Sequence, residues 1–348
     1  MRISVNAHYL KRERLSGLGR YTHQIVVGLA DQDIQIVPIR PPDRLYAQGG
    51  KLYQYLRFLA IFSAELLLPP VLRIIGQTML HISPAFSAPA AFWSSKYIVV
   101  VHDLAFVEYQ EFYSRLERLY FHLNLWILRH SDQRIVVPSQ YVKRSLCDHF
   151  GIAANRVSVI SPYAELRYES EMGNERRSED RGRYFLLLSN AHPRKNISAT
   201  VEGFVKSKAP SAGFRLLIVG NFESSVDYSS PHIVIMRGVS DRELAGLMRN
   251  AEALVLFSLS EGFGFPVVEA AQFGVGSLTS EVSSLSELIS PKRTPVPACT
   301  VDEIARKIDG FILDEAIKSQ MADDVNYINL KYNRERFEKL WQELIYAE

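Results

Sequence analysis

From residue 260 the chain reads Ser260-Glu261-Gly262-Phe263-Gly264-Phe265-Pro266-Val267-Val268-Glu269-Ala270-Ala271, two carboxylates bracketing a glycine loop. An apolar run over 253–257 precedes it as a strand, and Pro266 followed by apolar residues marks a helix start. Glycines let backbone come close to a ligand, and a new helix aims unpaired N–H groups and the positive end of its dipole at the same point. Glu261 and Glu269 would accept hydrogen bonds from hydroxyls beside that anion site, which suits a ligand that is part phosphate and part sugar. A second set is Arg194 and Lys195, in a loop ahead of a helical pattern. A guanidinium fork and an ammonium point charge beside a helix start make a site for a polyanion. The pair His102-Asp103 closes an apolar run over 96–101, at the strand end where open α/β sheets bind ligands. Gly17 and Gly19 lie between the first strand and a helical pattern. Each pattern alone also fits a plainer account: a tight turn with solvated glutamates, an exposed cation pair, a structural histidine, a flexible loop.

These residues need a scaffold, and the chain alternates throughout. Strand patterns cover 2–7, 34–39, 79–82, 96–101, 134–138 and 157–160, with helical patterns over 22–30, 52–68, 115–130 and 141–150. The charged stretch 169–183 breaks the pattern as a linker. Strands then resume over 184–188, 216–220, 233–236 and 253–257, with helices over 197–206, 240–249, from 266, 286–289 and 302–313. Alternation of this kind implies the α/β class with doubly wound parallel sheets. The expected division is a first domain over 1–165, a linker over 166–183, a second domain over 184–330, and a terminal helix over 331–348. That helix carries Phe337, Leu340, Trp341, Leu344 and Ile345 on one face and is expected to pack back across both domains.

Composition bounds the function. With 47% hydrophobic and 22% charged residues in 348, the chain is globular and long enough for two domains. Cys147 and Cys299 form neither a disulfide framework nor a zinc pattern. A net charge of +2 argues against a dedicated nucleic-acid binder. The charge is uneven, however: residues 1–165 hold 18 Lys and Arg against 12 Asp and Glu, the remainder 22 against 26. The segment 58–75 is apolar but interrupted by Glu65, Pro69, Pro70 and Arg73, short of the roughly 18 residues of a transmembrane helix. The opening residues alternate like a strand and lack the apolar core of a signal peptide. A cytoplasmic protein is expected, soluble or peripheral at the inner face of a membrane.

The order of these motifs resembles the family 4 retaining glycosyltransferases of the bacterial group 1 type. The likeness rests on Arg194-Lys195-Asn196 after a strand, Ser240-Asp241 with Glu243-Leu244, and the segment from Glu261 to Glu269. In the first half it rests on Gly17-Leu18-Gly19-Arg20-Tyr21 and Val101-His102-Asp103-Leu104. The resemblance implies a GT-B fold, two Rossmann-like doubly wound domains facing across a cleft that takes a nucleotide sugar. It implies Arg194 and Lys195 on the donor pyrophosphate, Glu269 on the ribose, and Glu261 with the backbone of Gly262, Phe263, Gly264 and Phe265 on the transferred sugar. Gly17 and Gly19 would lie against the phosphates, and His102 near the donor sugar and acceptor. No cofactor or metal is implied beyond the nucleoside diphosphate sugar as donor substrate. The acceptor would be a saccharide or lipid-linked saccharide of surface polysaccharide synthesis. Lys11, Arg12, Arg14 and the stretch 53–75 would supply a peripheral membrane contact. Ser16 stands where many relatives have glycine, and Gly274-Val275-Gly276-Ser277-Leu278 replaces the usual turn after the main motif. A nucleotide-sugar epimerase or phosphorylase on the same fold, and a non-catalytic sugar-nucleotide-binding subunit, remain alternatives. Nicotinamide dehydrogenases and P-loop enzymes lose their motif here, since neither G-x-G-x-x-G nor G-x-x-x-x-G-K-[ST] occurs.

Overall fold

Parallel strands are covered by helices on both faces, so they read as unbroken apolar runs rather than alternating ones. The tetrapeptides Tyr97–Val100 and Ala253–Leu256 are such runs, and every residue in both is buried. The structure is a computed structural model that describes residues 2–7, 10, 17–30, 35–39, 71, 74, 76, 80–84, 96–165, 183–190, 192–220 and 229–347. It divides into two units, Met1–Pro162 with Arg334–Glu348, and Tyr163–Asn333.

The first unit is built on β1 (Arg2–Asn6), β2 (Gln35–Ile39), β3 (Leu80–Ser83), β4 (Tyr97–Val100), β5 (Arg134–Val137) and β6 (Val157–Val159). They form one parallel sheet in the order β2-β1-β3-β4-β5-β6. Pro38, which cannot donate to a ladder, sits on β2, an edge strand among the described residues. The helices are α1 (Gly17–Ala30), α2 (Ala105–Glu108), α3 (Arg115–Arg129) and α4 (Gln140–Phe150). Ser139 caps α4 through its hydroxyl, and Gly151 ends it in the left-handed conformation, as the sequence predicts.

The second unit holds β7 (Tyr184–Leu188), β8 (Arg215–Val219), β9 (Ile233–Met236), β10 (Ala253–Leu256) and β11 (Ser277–Thr279) in the order β11-β10-β7-β8-β9, again all parallel. Around this sheet lie α5 (Ile197–Lys206), α6 (Asp241–Asn250), α7 (Phe265–Gln272), α8 (Val301–Leu313) and α9 (Glu315–Lys331). The last helix, α10 (Arg334–Tyr346), falls in the first unit and buries Phe337, Trp341 and Ile345. Phe337 meets the ring of Tyr21 on α1 at 5.7 Å.

The structure departs from the sequence reading at several places, the short helix α2 among them. Helix α1 begins at Gly17 rather than Thr22, so Gly17 and Gly19 lie in its first turn and neither needs a positive φ. Strand β11 begins within residues read as a turn, because three residues following two glycines show no periodicity. Helix α9 shows little amphipathic pattern and was not anticipated. The pattern at 286–289 is a 3-10 segment over Ser283–Leu288. The helical pattern 52–68, the residues Lys11, Arg12 and Arg14, and all of the linker 166–183 but its last residue lie outside the described residues.

In both sheets chain order reverses next to the first strand of the unit, between β1 and β3 and between β7 and β10. A crevice opens outside the carboxyl ends of the strands at such a switch point, and ligands of open α/β sheets bind there.

One buried group makes this fold sensitive to acid. His81 on β3 is enclosed, with Nδ1 2.9 Å from Ser4 Oγ and its ring stacked obliquely on Tyr97 at 4.7 Å. Its Nε2 has no hydrogen-bond partner among the described residues. Burial pushes its pKa down to about 3. A depressed histidine contributes stability fully above its unfolded pKa and loses it as pH falls toward the folded value, by up to about 1.4 kcal/mol per pH unit. Urea unfolding at neutral pH and at about pH 4.5 should therefore show falling stability, and His81→Gln should flatten that slope.

Candidate active site

The loop after β7 and the loop after β10 leave the sheet side by side, because Phe185, Leu186 and Leu187 pair in register with Ala253, Leu254 and Val255. Two hydrogen bonds then draw the loops together, and a third ties them to the segment before α8. The Leu259 N–H donates to the Arg194 carbonyl at 2.8 Å, and Asn196 Nδ2 donates to the carbonyls of Phe257 at 3.1 Å and Cys299 at 2.9 Å. Asn196 takes φ 54, a left-handed conformation that asparagine tolerates better than most residues, and from it α5 begins. The sequence-predicted cations are thus held at the carboxyl edge of the sheet, at its switch point.

There they close on Glu261. Lys195 Nζ donates to Glu261 Oε1 at 2.6 Å, and Arg194 Nη1 donates to Glu261 Oε2 at 3.3 Å and to the Ser260 carbonyl at 2.9 Å. Ser258 Oγ donates to the same Oε1 at 2.8 Å. The side chains of Arg194, Lys195 and Glu261 are 17%, 14% and 8% exposed, so this is a buried, charge-assisted cluster. Burial alone would raise the Glu261 carboxyl. The charges of Lys195 and Arg194 and the hydrogen bonds from Lys195 and Ser258 outweigh it and hold Glu261 below the usual carboxylate range. The cluster keeps one net positive charge, and of the three ammonium N–H donors of Lys195 one is committed, to Glu261, among the described residues.

The Glu261 backbone is clamped as well. Its N–H donates to Ser283 Oγ at 3.0 Å, and Ser284 Oγ donates to its carbonyl at 2.7 Å. The clamp is strained, since Glu281 and Ser283 have φ 52 and φ 51, conformations that cost about 1 to 3 kcal/mol each in residues with a side chain. A buried ion network holds it: Glu281 takes Arg293 Nη1 at 3.0 Å and Lys307 Nζ at 2.5 Å, and Arg293 Nη2 reaches Asp324 at 2.7 Å. The Val296 N–H completes the Glu281 carboxylate at 2.6 Å.

Gly262, Phe263 and Gly264 are buried between Glu261 and α7, and Phe265 starts the helix. The Phe263 side chain is turned into the core, edge-on to Phe265 at 5.5 Å and to Tyr332 at 5.3 Å, so it can offer a ligand backbone only. Gly264 adopts φ 106 and caps α7, and a Cβ there would stand 2.7 Å from Leu285 Cδ2 and 2.9 Å from Leu288 Cδ1. Glu269, half-buried, follows in the second turn of α7. The structure therefore brings Arg194, Lys195 and Glu261 into direct contact and sets Glu269 on the adjoining helix.

His102 belongs to the first unit, just past β4. Its Nε2 lies 2.6 Å from the Pro84 carbonyl, which can only accept, so Nε2 carries the proton and Nδ1 presents a lone pair. Burial lowers its pKa, more than the Pro84 bond and Asp103 raise it, and it stays neutral near pH 7. The ring is held edge-on by Tyr21 at 5.1 Å, and the Tyr21 hydroxyl donates to the Ile160 carbonyl at 2.8 Å. Gly17 and Gly19, on the first turn of that same helix, follow the strand that borders the switch point of this sheet. Sequence reasoning missed Ser258, Ser283, Ser284, Glu281, Arg293 and the positioning role of Tyr21. A signal was present only for Tyr21, in the motif that carries the two glycines.

Two doubly wound parallel sheets, one with a cation-carboxylate cluster at its switch point, define an open α/β architecture, and comparison with known proteins makes it specific. The chain matches the family described as Glycosyltransferase Family 4 over residues 15–166 and the family described as Glycosyl transferases group 1 over residues 170–327. It belongs to this glycosyltransferase family, and its fold is GT-B. The crystal structure of Anabaena HepE in complex with UDP and glucose is similar over 100% of both chains, with TM-score 0.72 and 14% identity. Among curated relatives, the O-antigen chain mannosyltransferase RfbU of Salmonella typhimurium is 26% identical over 202 residues, 55% of this chain and 54% of that protein. A D-inositol 3-phosphate glycosyltransferase of Paenarthrobacter aurescens is 23% identical over 180 residues, 47% of this chain and 44% of that protein. The chain thus spans about half the length of the curated relatives it matches.

The Gly264 geometry yields a direct test. Gly264→Ala combines a strained φ with overlap against two leucines and should lower unfolding stability by about 2 to 4 kcal/mol. Gly274→Ala, at φ 72 but with nothing within 4 Å of the added Cβ, should cost only about 1 kcal/mol in the same urea titration.

Proposed function

We propose that the protein transfers a hexose, with retention of anomeric configuration, from a nucleoside diphosphate sugar to a saccharide or lipid-linked saccharide in surface polysaccharide synthesis. The observation that carries this reading is the buried Arg194, Lys195 and Glu261 cluster at the switch point of the second sheet. Family membership supports it, as do a relative named for O-antigen mannosyl transfer and a structural neighbour in complex with UDP and glucose.

In the proposed reaction the bond from the anomeric carbon to the donor phosphate oxygen breaks and a bond to an acceptor hydroxyl oxygen forms on the same face. The acceptor proton passes to the departing phosphate. Negative charge grows on the leaving diphosphate, and preorganised cations in a water-poor site stabilise such charge without reorganising. Arg194 and Lys195 supply that stabilisation, and Glu261 both fixes them and keeps an anion near the positive charge developing on the sugar. Glu269 takes the ribose hydroxyls. The backbone of Gly262, Gly264 and Phe265 borders the sugar. Gly17 and Gly19 leave room at the start of α1 for phosphate. His102 accepts a sugar hydroxyl through Nδ1. The cations do the work a divalent ion does elsewhere, so turnover is metal-independent. The protein works at the cytoplasmic side, in peripheral contact with the membrane that carries the acceptor.

Lys195→Ala should lower kcat/KM by roughly 10² or more, the usual effect of removing one stabiliser of developing charge, whereas Glu269→Ala should act chiefly on donor KM. Steady-state kinetics with a panel of nucleotide sugars, run with and without EDTA, measures both. Unchanged kcat/KM in Lys195→Ala, or activity abolished by chelation and restored by Mn²⁺, would remove the assignment of the cations to the diphosphate. The stereochemical step is read separately: NMR of the first-formed product should show the anomeric configuration of the donor, and inversion would exclude retaining transfer.

A further inference from the structure

The cation loop and the carboxylate loop share a further support, and it lies outside the sheet. Segment 293–300, between the 3-10 segment and α8, is bonded to both. On the cation side the Cys299 carbonyl takes Asn196 Nδ2 at 2.9 Å, and Asn196 is the neighbour of Lys195 in the chain. On the carboxylate side the Ala298 N–H donates to the Ser280 carbonyl at 3.0 Å, and the Val296 N–H donates to Glu281 at 2.6 Å. Helix α8 fixes the segment in turn. Glu303 accepts from the N–H groups of Cys299 at 3.0 Å and Thr300 at 2.9 Å in a capping box. Lys307 Nζ donates to the Val296 carbonyl at 3.1 Å as well as to Glu281 Oε1. Glu281 is the point where this brace meets the strained turn. It is 3% exposed, and it and Ser283 stand at φ 52 and φ 51 two positions apart.

We propose that Glu281 is a positioning residue for sugar transfer, which acts through Ser283 and Ser284 on Glu261 and so sets that carboxylate against Arg194 and Lys195. The proposal rests on the transferase reading for what the two cations do. Left-handed conformations of residues with side chains persist only where the surroundings over-determine them, and they collect at functional sites. Here Arg293, Lys307 and the Val296 N–H hold the Glu281 carboxylate. What the strained turn then presents is the Ser283 hydroxyl to the Glu261 N–H at 3.0 Å and the Ser284 hydroxyl to the Glu261 carbonyl at 2.7 Å. A role in stability alone is a poor account of this arrangement. The two strained residues and the desolvated charges each cost stability rather than add to it. Their product is a position: the brace fixes the loop of Glu261 and the loop of Lys195 to one segment, and so fixes the distance between them. A displacement of about 1 Å caused far from the chemistry can cost on the order of 10² in rate. With Glu281 neutral, the turn is free to relax toward ordinary φ, and the Ser283 hydroxyl leaves the Glu261 N–H.

The test takes the full chain as wild type, Glu281→Gln, Ser283→Gly and the double variant, and reads three quantities: hydrogen exchange at the Glu261 amide, steady-state kinetics, and calorimetric titration with inorganic pyrophosphate. Glycine suits φ 51 and removes only the hydroxyl, so Ser283→Gly should unfold no more readily than the wild type. In each single variant the Glu261 amide should exchange about tenfold faster or more, while the amides of β7 and β10 keep their protection. The kcat should fall by about tenfold or more with donor KM changed less than about threefold, since fixed cations act on the charge growing in the leaving group. Affinity for pyrophosphate should fall along with kcat. The double variant should be no worse than Glu281→Gln, because both changes act through one link. Lys292→Ala, which breaks an exposed pair with Asp323 beside Arg293, should leave all three readouts unchanged. Wild-type exchange or wild-type kcat in Ser283→Gly, additive losses in the double variant, or a fall in Glu281→Gln accounted for by its unfolded fraction would each overturn the proposal. A wild type that binds pyrophosphate but transfers no sugar would instead remove the transferase reading, and exchange and pyrophosphate affinity in the variants would still decide the link from Glu281 to Glu261.

Discussion

A carboxylate removed from water must be paired, and the pairing of Glu261 governs the arrangement around it. One buried anion between two cations is seldom a net gain in stability, because desolvating three charges offsets most of their attraction. Its consequence here is positional. Lys195 and Arg194 come from the loop after β7, Glu261 from the loop after β10, and each cation reaches a different oxygen of the same carboxylate. Two long, flexible side chains thereby lose their rotamer freedom before any ligand arrives. On the proposed reading an incoming polyanion would meet fixed charges, so the ordering cost would fall on folding rather than on binding.

The surrounding structure serves that constraint at successive distances. Ser258 and the hydroxyls of Ser283 and Ser284 fix the carboxylate and its backbone. The strained segment bearing Ser283 is in turn held by Glu281, and Glu281 by Arg293 and Lys307. Burial pushes the Lys307 ammonium down, and Glu281 pulls it part of the way back. The Arg293 guanidinium, by contrast, is raised despite burial because it faces both Asp324 and Glu281. Removing Glu281 would leave Lys307 without its carboxylate, and removing Arg293 would leave Asp324 without its cation, so the network resists change at those two members although each pair alone is worth little.

How much of this could be read from the sequence depends on the range of the interaction. The strands were legible because parallel strands covered on both faces are short unbroken apolar runs, and α5 because a well-patterned helix follows a polar loop. The strand order, and with it the reason Arg194 and Glu261 lie side by side, rests on pairing between distant segments and shows in no local period. The serines were invisible for a sharper reason. Ser283 and Ser284 act on Glu261 across 22 and 23 residues, Asn196 on Cys299 across 103 and Tyr21 on Ile160 across 139, and no local pattern carries such pairings. Strand β11 and helix α9 failed differently, one too short and the other too weakly amphipathic to show a period. Gly17 was read as loop because glycine weakens a helix, yet at a first turn that cost is small and the missing side chain leaves backbone accessible.

The two histidines of the first sheet show why residue type alone does not separate packing from chemistry. Both are depressed by burial and both are neutral near pH 7. His81 spends one nitrogen on Ser4 and encloses the other, so its imidazole has nothing left to offer a ligand. His102 stands past the end of its strand instead of within it, and the Pro84 carbonyl claims the Nε2 proton. That bond selects the tautomer and turns the lone pair of Nδ1 away from Pro84, while Tyr21 prevents the ring from rotating out of that pose. The same desolvation that makes one histidine inert thus makes the other a fixed acceptor, and a displacement of a few residues along the strand decides which. For sugar recognition a fixed neutral acceptor is the useful state, since an imidazolium would donate from both nitrogens and could not take a hydroxyl proton.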